Sequence, residues 1–257
     1  MPLLRPLPAF EDNYIWLQYA PDGSALVVDP GDAAVVLREV EAGLHLRAVL
    51  ITHHHADHIG GLMELQSRLG LPCYGPQDDR IPDVLSRVGG GDRIQPPEWP
   101  WPIEVLAVPG HTRSHIAFLS AGALFCGDTL FSLGCGRLFE GSPAQMLDSL
   151  DRLNTLPADT LVCCTHEYTL ANARFALEAE PGNPALRARI AEVEARRAAG
   201  LASLPVALQR ERDCNPFLRV RQPGVLATLQ ARRGLAAGAD PVAAFAALRG
   251  WKDEFRG

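Results

Sequence analysis

The sequence predicts a mixed α/β domain followed by a helical one, with the change of character near residues 166–170. Three observations carry this. Short Val-, Leu- and Ile-rich runs bounded by turn residues fill the first two-thirds of the chain. Helical spacings lie between those runs. Beyond residue 168 the chain turns Ala-, Glu- and Arg-rich with helical periodicity and no further convincing strand.

Taken in order, "ALVVDPG" (25–31) is an apolar run stopped by Asp-Pro-Gly, and "RAVLITH" (47–53) runs into a histidine cluster. "DHIGGLMELQSRLG" (57–70) has helical spacing. Residues 89–102, "GGGDRIQPPEWPWP", read as a Gly/Pro-rich loop. "IEVLAVPGH" (103–111) ends in Pro-Gly-His, and "HIAFLS" (115–120) and "ALFCGDT" (123–129) are close enough for a hairpin through Ala121-Gly122. "SPAQMLDSLDRLNTL" (142–156) is a helix with Ser142 as N-cap and Pro143 in the first turn. "TLVCCTH" (160–166) ends in histidine again, and "TLANARFALEAE", "NPALRARIAEVEARRAAG" and "DPVAAFAALRGWKDEF" supply helices.

Composition narrows the function classes. A chain of 257 residues with 47% hydrophobic residues can build a sizeable core without disulfide or metal staples. A net charge of −6 argues against a nucleic-acid partner. The N-terminus shows no basic segment followed by an apolar run, and no stretch reaches the roughly 18 apolar residues of a membrane span. The expectation is a cytoplasmic protein without membrane partners. The six cysteines form no C-x-x-C pair, so reduced thiols are expected, with Cys163 and Cys164 as buried small hydrophobes.

Half of the eight histidines fall within "THHHADH" (52–58). The other candidate metal ligands also sit at strand ends: His111 in "PGHT", Asp128 in "CGDTL" and His166 in "CTHEYT". Sites are commonly assembled from such ends. In extended chain His53 and His55 project to one side and can grip one ion together. Asp57 and His58 lie where the chain turns into a helix and can face a second ion. His54 alternates away and reads as a non-ligand, His45 as a surface residue, and His115 as a possible neighbour of the ligands. Imidazole and carboxylate donors suit zinc, with iron or manganese compatible. Asp29, in "VVDPG", reads as a residue that holds the histidine loop by hydrogen bonds, and Gly60 and Gly61 as points of close approach.

The ordered set "THHHADH", "PGHT", "GDTLF" and "THEYT" resembles the metallo-β-lactamase-fold hydrolases, and within them the glyoxalase II (hydroxyacylglutathione hydrolase) family. "FEDNYIWL" (10–17), "VVDPGDA" (27–33), "CGRLFEGSP" (135–143), "NPFLRVR" (215–221) and "LRGWKDEF" (248–255) extend the resemblance over nearly the whole chain. It implies an αββα sandwich over residues 1–167 and a helical, glutathione-binding domain over 168–257. It implies one ion on His53, His55 and His111, another on Asp57, His58 and His166, and Asp128 bridging both. It implies S-D-lactoylglutathione hydrolysis, the second step of methylglyoxal detoxification, by a metal-bound hydroxide with no side-chain nucleophile. Arg137, Phe139, Tyr168, Arg249 and Lys252 are the implied substrate contacts.

Two positions depart from that pattern. Arg137 stands where some members have lysine, and Phe139 where some have tyrosine, which removes a hydroxyl. A persulfide dioxygenase with a single iron and a non-catalytic metal-binding module are the competing readings. Open coordination on oxygen and nitrogen donors argues against the closed, structural kind of site. The chain is expected to be a monomer.

Overall fold

Alternation explains the first sheet. Along β2 (Asn13–Tyr19), Ile15 and Leu17 join one hydrophobic cluster, while Trp16 and Gln18 point the other way and are also buried. A strand buried on both faces must lie in an inner layer. The structure, a computed structural model, describes residues 2–256. It divides into two compact units. One comprises the chain up to Val108, Ser114–Gly127 and Leu161–His166; the other comprises Pro109–Arg113, Asp128–Thr160 and the chain from Glu167 onward.

In the first unit, β1 (Leu3–Ala9), β2, β3 (Ala25–Val28), β4 (Leu46–Leu50), β5 (Cys73–Pro76) and β6 (Ser86–Val88) form one sheet in that order. The β1–β2–β3 pairs are antiparallel, and the pairs from β3 to β6 are parallel. α1 (Ala33–Glu41) makes the crossover between β3 and β4. α2 (Ala56–Ile59) and α3 (Leu62–Leu69) lie between β4 and β5. Val36, Leu37, Leu62 and Leu65 from these helices pack with Ile15, Leu17, Val27, Val49 and Ile51.

The second sheet of this unit runs β13 (Leu161–Cys164), β10 (Ala123–Gly127), β9 (Ile116–Ser120), β8 (Ile103–Ala107), β7 (Arg93–Ile94). The β10–β13 pair is parallel and the others antiparallel. It faces the free side of the first sheet. The Trp16 indole N–H donates to the Cys164 carbonyl (2.9 Å), and the Gln18 amide to that of Ser120 (2.9 Å). The β9–β10 hairpin turns at Ala121 and Gly122, both at positive φ, as a tight two-residue hairpin requires.

The second unit holds the short pair β11 (Leu130–Phe131) and β12 (Gly134–Cys135), then α4 (Pro143–Asn154), α5 (Thr169–Ala179), α6 (Pro184–Ala198), α7 (Leu208–Cys214), α8 (Pro223–Arg233) and α9 (Pro241–Glu254). The Ser142 cap is present as a full capping box with Gln145. Phe175 packs against Phe217 and Trp251, and Phe217 against Phe245, to form an aromatic core. The "NPF" turn after α7 works on the β11–β12 pair: Asn215 donates to the carbonyls of Phe131 (3.0 Å) and Gly134 (2.9 Å). The buried Glu211 carboxylate accepts from the Ser132 hydroxyl (2.6 Å) and the Leu133 amide (2.8 Å).

Three expectations are corrected. The 89–102 stretch is not all loop, since β7 lies within it, and a two-residue strand, β14 (Val206–Ala207), follows residue 168. Residues 57–70 are not a single helix; they break into α2 and α3. The Gly61 amide leaves the helical ladder and donates to the Pro30 carbonyl (2.9 Å). A Cβ on Gly61 would lie 2.5 Å from that oxygen, so only glycine permits the approach. All six cysteines are buried, Cys163 and Cys164 among them.

Candidate metal centre

The parallel strands β3 and β4 end side by side, and their ends carry the histidine segment of the first unit. Asp29 follows β3 at φ 51°. Its Oδ1 accepts from the Thr52 amide (2.8 Å), and its Oδ2 from the Thr52 hydroxyl (2.7 Å) and from His58 Nδ1 (3.1 Å). One buried carboxylate thereby holds both ends of the histidine segment. His53 Nε2 lies 3.0 Å from His55 Nδ1, and the His53 and His58 rings are 4.0 Å apart. The His115 ring stacks on His53 at 4.6 Å, with its own Nδ1 on the Ile116 carbonyl.

Asp57, His58 and His166 converge so that one donor atom from each lies within 4.8 Å of the others. Asp57 Oδ2 is 3.4 Å from His58 Nε2 and 3.4 Å from His166 Nε2. Burial pushes the Asp57 carboxyl up. The His166 and His58 imidazoles, with the Asn13 amide, outweigh that and hold it far below the usual carboxylate range. Asn13 Nδ2 donates to Asp57 Oδ2 at 2.9 Å, and His166 Nδ1 is 2.7 Å from Asp12 Oδ1. Sequence reasoning missed Asp12, Asn13 and Thr52; the "DN" inside "FEDNYIWL" was the visible signal for the first two. His54 stands apart, with Nδ1 3.4 Å from Asp78 Oδ2, and His45 is exposed.

The second unit carries the other two predicted ligands, already in contact: His111 Nε2 lies 3.4 Å from Asp128 Oδ2. The loop after β12 closes on both. His111 Nδ1 is 2.8 Å from the Arg137 carbonyl, the Phe139 amide donates to the His111 carbonyl (3.2 Å), and the Phe139 ring meets the imidazole edge-on at 5.2 Å. A Cβ on Gly136 would lie 1.9 Å from the Asp128 carbonyl oxygen.

The predicted substrate contacts divide by burial. Arg137 and Phe139 are exposed, and Tyr168 is half-buried with its ring edge-on to Phe131 (5.3 Å). Arg249 is buried and turned onto its own chain: Nη1 donates to the Cys135 carbonyl (2.9 Å) and Nη2 to Asp253 (3.0 Å). Asp253 also faces Arg137 at 3.4 Å. Lys252 lies with its ammonium 5.3 Å from the Phe175 ring centre and 5.6 Å from that of Phe255. Burial, helped by Arg249 and Arg174, lowers its pKa to about 8.

The donor set is chemically apt for divalent ions. Each of His58, His166 and His111 has its Nδ1 on an oxygen acceptor, which leaves Nε2 as the ligand atom, and carboxylates supply the charge.

Comparison with known proteins agrees with this chemistry. Residues 9–166 match the metallo-beta-lactamase superfamily, and residues 167–255 match the hydroxyacylglutathione hydrolase C-terminus. The chain is 55% identical over 252 residues to a hydroxyacylglutathione hydrolase of Xanthomonas axonopodis pv. citri, covering 97% of this chain and 98% of that one. It is 52% identical over 254 residues to one of Stenotrophomonas maltophilia, covering 98% and 99%. The fold matches the crystal structure of the BLEG-1 B3 metallo-beta-lactamase with a TM-score of 0.64 at 20% identity, over 84% of this chain and 99% of that one. By sequence along its whole length and by fold, this chain belongs to the hydroxyacylglutathione hydrolase family of the metallo-β-lactamase superfamily.

Proposed function

We infer that the protein hydrolyses S-(2-hydroxyacyl)glutathione thioesters, converting S-D-lactoylglutathione to D-lactate and glutathione in the second step of methylglyoxal detoxification. Family membership over 97% of the chain supports the reaction class. The observation that carries the chemistry is the convergence of Asp57, His58 and His166, each buttressed by a further polar side chain. In this reading His53, His55 and His111 hold one ion, Asp57, His58 and His166 hold another, and Asp128 serves both. Zinc is the first choice, with iron or manganese fitting the same donors. Two dications held there would supply Lewis acidity and bring the pKa of a water near neutrality.

The chain's own residues then have two tasks. The histidines and aspartates fix the geometry at the thioester carbonyl. Arg137, Phe139, Tyr168, Arg249 and Lys252 hold the anionic glutathione moiety, with Lys252 supplying charge directly and Arg249 bracing the loop through Cys135 and Asp253. A thiol of pKa about 8.5 leaves as thiolate without a dedicated acid, which suits a site built from metal ligands alone. The catalytic domain is residues 1–167 and the glutathione-binding one 168–257. The protein works as a cytoplasmic monomer without nucleic-acid partners. Among the described residues no helix is long and apolar enough to cross a membrane.

The test is hydrolysis of S-D-lactoylglutathione, followed as loss of thioester absorbance, by protein of measured metal content. Rapid turnover with about two metals per chain is expected. Two metals without turnover would redirect the search to other thioesters, and one iron without turnover would favour the persulfide dioxygenase.

A further inference from the structure

The turn between β1 and β2 is built into the ligand cluster more deeply than a hairpin turn needs to be. The Tyr14 amide donates to the Thr165 carbonyl (2.6 Å), and Asn13 pairs with His166 in an isolated antiparallel bridge. With the Trp16 indole on Cys164, these bonds fasten the start of β2 along the end of β13. The turn itself is strained. Phe10 sits at φ 51°, a region bulky residues rarely enter, and strain of this kind collects at functional sites.

Two side chains are delivered by that arrangement. The Asp12 carboxylate meets His166 Nδ1 at 2.7 Å, and the Asn13 amide meets Asp57 Oδ2 at 2.9 Å. A carboxylate is only an acceptor, so Nδ1 of His166 carries the proton and Nε2 presents its lone pair toward Asp57. Asn13 marks out the same Asp57 oxygen that faces both His58 Nε2 and His166 Nε2.

The partners of the ligand histidines are unequal. His58 and His166 each have Nδ1 on a carboxylate, Asp29 and Asp12. His53 has the Thr52 hydroxyl at 3.1 Å, and His111 the Arg137 carbonyl. A carboxylate partner fixes the tautomer and raises the basicity of the ligating nitrogen more than a neutral oxygen does.

We propose that Asp12 is a positioning residue for the ion held by Asp57, His58 and His166, with Asn13 as its accessory, so that the β1–β2 turn selectively sets the affinity of that one ion. The proposal rests on the dinuclear reading above. It assigns a role to side chains outside the ligand set and makes the two ions separately adjustable.

The test compares wild type with Asp12→Asn, Asp12→Ala and Asn13→Ala. Each metal-free protein is titrated with zinc against a competing chelator, and bound metal is counted by mass spectrometry. Wild type is expected to bind two ions. Asp12→Ala is expected to keep one at wild-type affinity and to bind the other about 10–100-fold more weakly. Asp12→Asn, which keeps an acceptor but loses the charge, should fall between. In the cobalt(II)-loaded wild type the exchangeable Nδ1 proton of His166 should give a paramagnetically shifted resonance, which Asp12→Ala should lose.

Equal thermal unfolding of the metal-free wild type and Asp12→Asn separates positioning from folding. Asp12→Ala that binds both ions as wild type does, or weakens both equally, overturns the proposal while leaving the dinuclear reading intact. A wild type that never binds a second ion overturns that reading first.

Discussion

Adding one methyl group at Gly31 should disable the site without replacing any candidate ligand. A Cβ there would lie 1.8 Å from the Asp57 carbonyl oxygen and 2.5 Å from its carbon. Both obstacles are backbone, and real Cβ contacts stay beyond 3.0 Å, so the first turn of α2 must withdraw by about 1.2 Å. That turn carries Asp57 and His58. Overpacking of this kind costs about 1–3 kcal/mol, and a displacement near 1 Å in a reacting constellation can cost about 100-fold in rate. Gly31→Ala should therefore lower Tm by roughly 2–4 °C per kcal/mol lost, weaken metal binding and cut thioester turnover by about two orders of magnitude. Gly250→Ala is the matched control. It lies exposed within α9 with nothing near its Cβ position, and should gain about 0.5–1 kcal/mol from helix propensity. The assays are metal content, thermal unfolding and S-D-lactoylglutathione hydrolysis on both variants. Wild-type metal content and turnover in Gly31→Ala would refute the argument that this backbone contact sets the ligand loop.

Three further outcomes are expected. Asp128→Ala should lose most activity and reduce bound metal, because in the proposed dinuclear site its carboxylate would serve both ions; two retained ions with full turnover would contradict the bridging role. Phe139→Tyr should lower KM for glutathione thioesters by restoring a hydroxyl on an exposed ring beside His111; an unchanged or higher KM counts against it. Lys252, with a pKa of about 8, is mostly ammonium at pH 7 and mostly neutral amine at pH 9. Its attraction for a carboxylate is present below that pKa and lost as pH rises through it. KM should therefore climb roughly tenfold between pH 7 and 9 with kcat unmoved. Lys252→Ala should have a raised KM already at pH 7, and Lys252→Arg, always charged, should flatten the rise. A flat KM in wild type would remove the charge argument.

Legibility in the sequence followed locality. The turn at Ala121-Gly122 and the Ser142 cap were readable because each depends on a few neighbouring residues. β1 and β2 were not. Prolines 6 and 8 argue against a strand, yet they are tolerated because β1 is a sheet edge, and β2 lacks polar alternation because both its faces are covered. The break at Gly60-Gly61 was hidden for a related reason: helical spacing continues through it, and only the distant backbone of Pro30 interrupts the ladder.

The sequence by itself determined the order of the chain, α/β and then helical, and the motifs that carry the candidate ligands, because donor type and strand-end spacing are written in consecutive residues. It also carried the family resemblance. Tertiary structure alone decided which groups support those ligands. Asp29 reaches His58 across 29 positions, Asn13 reaches Asp57 across 44, and Asp12 reaches His166 across 154. It also turned Arg249 inward onto Cys135 while leaving Lys252 half-buried between two rings. The spacing of these two residues along α9 is the same in the sequence whichever way either points. Burial and hydrogen bonding to remote segments choose the direction, and no local pattern encodes them.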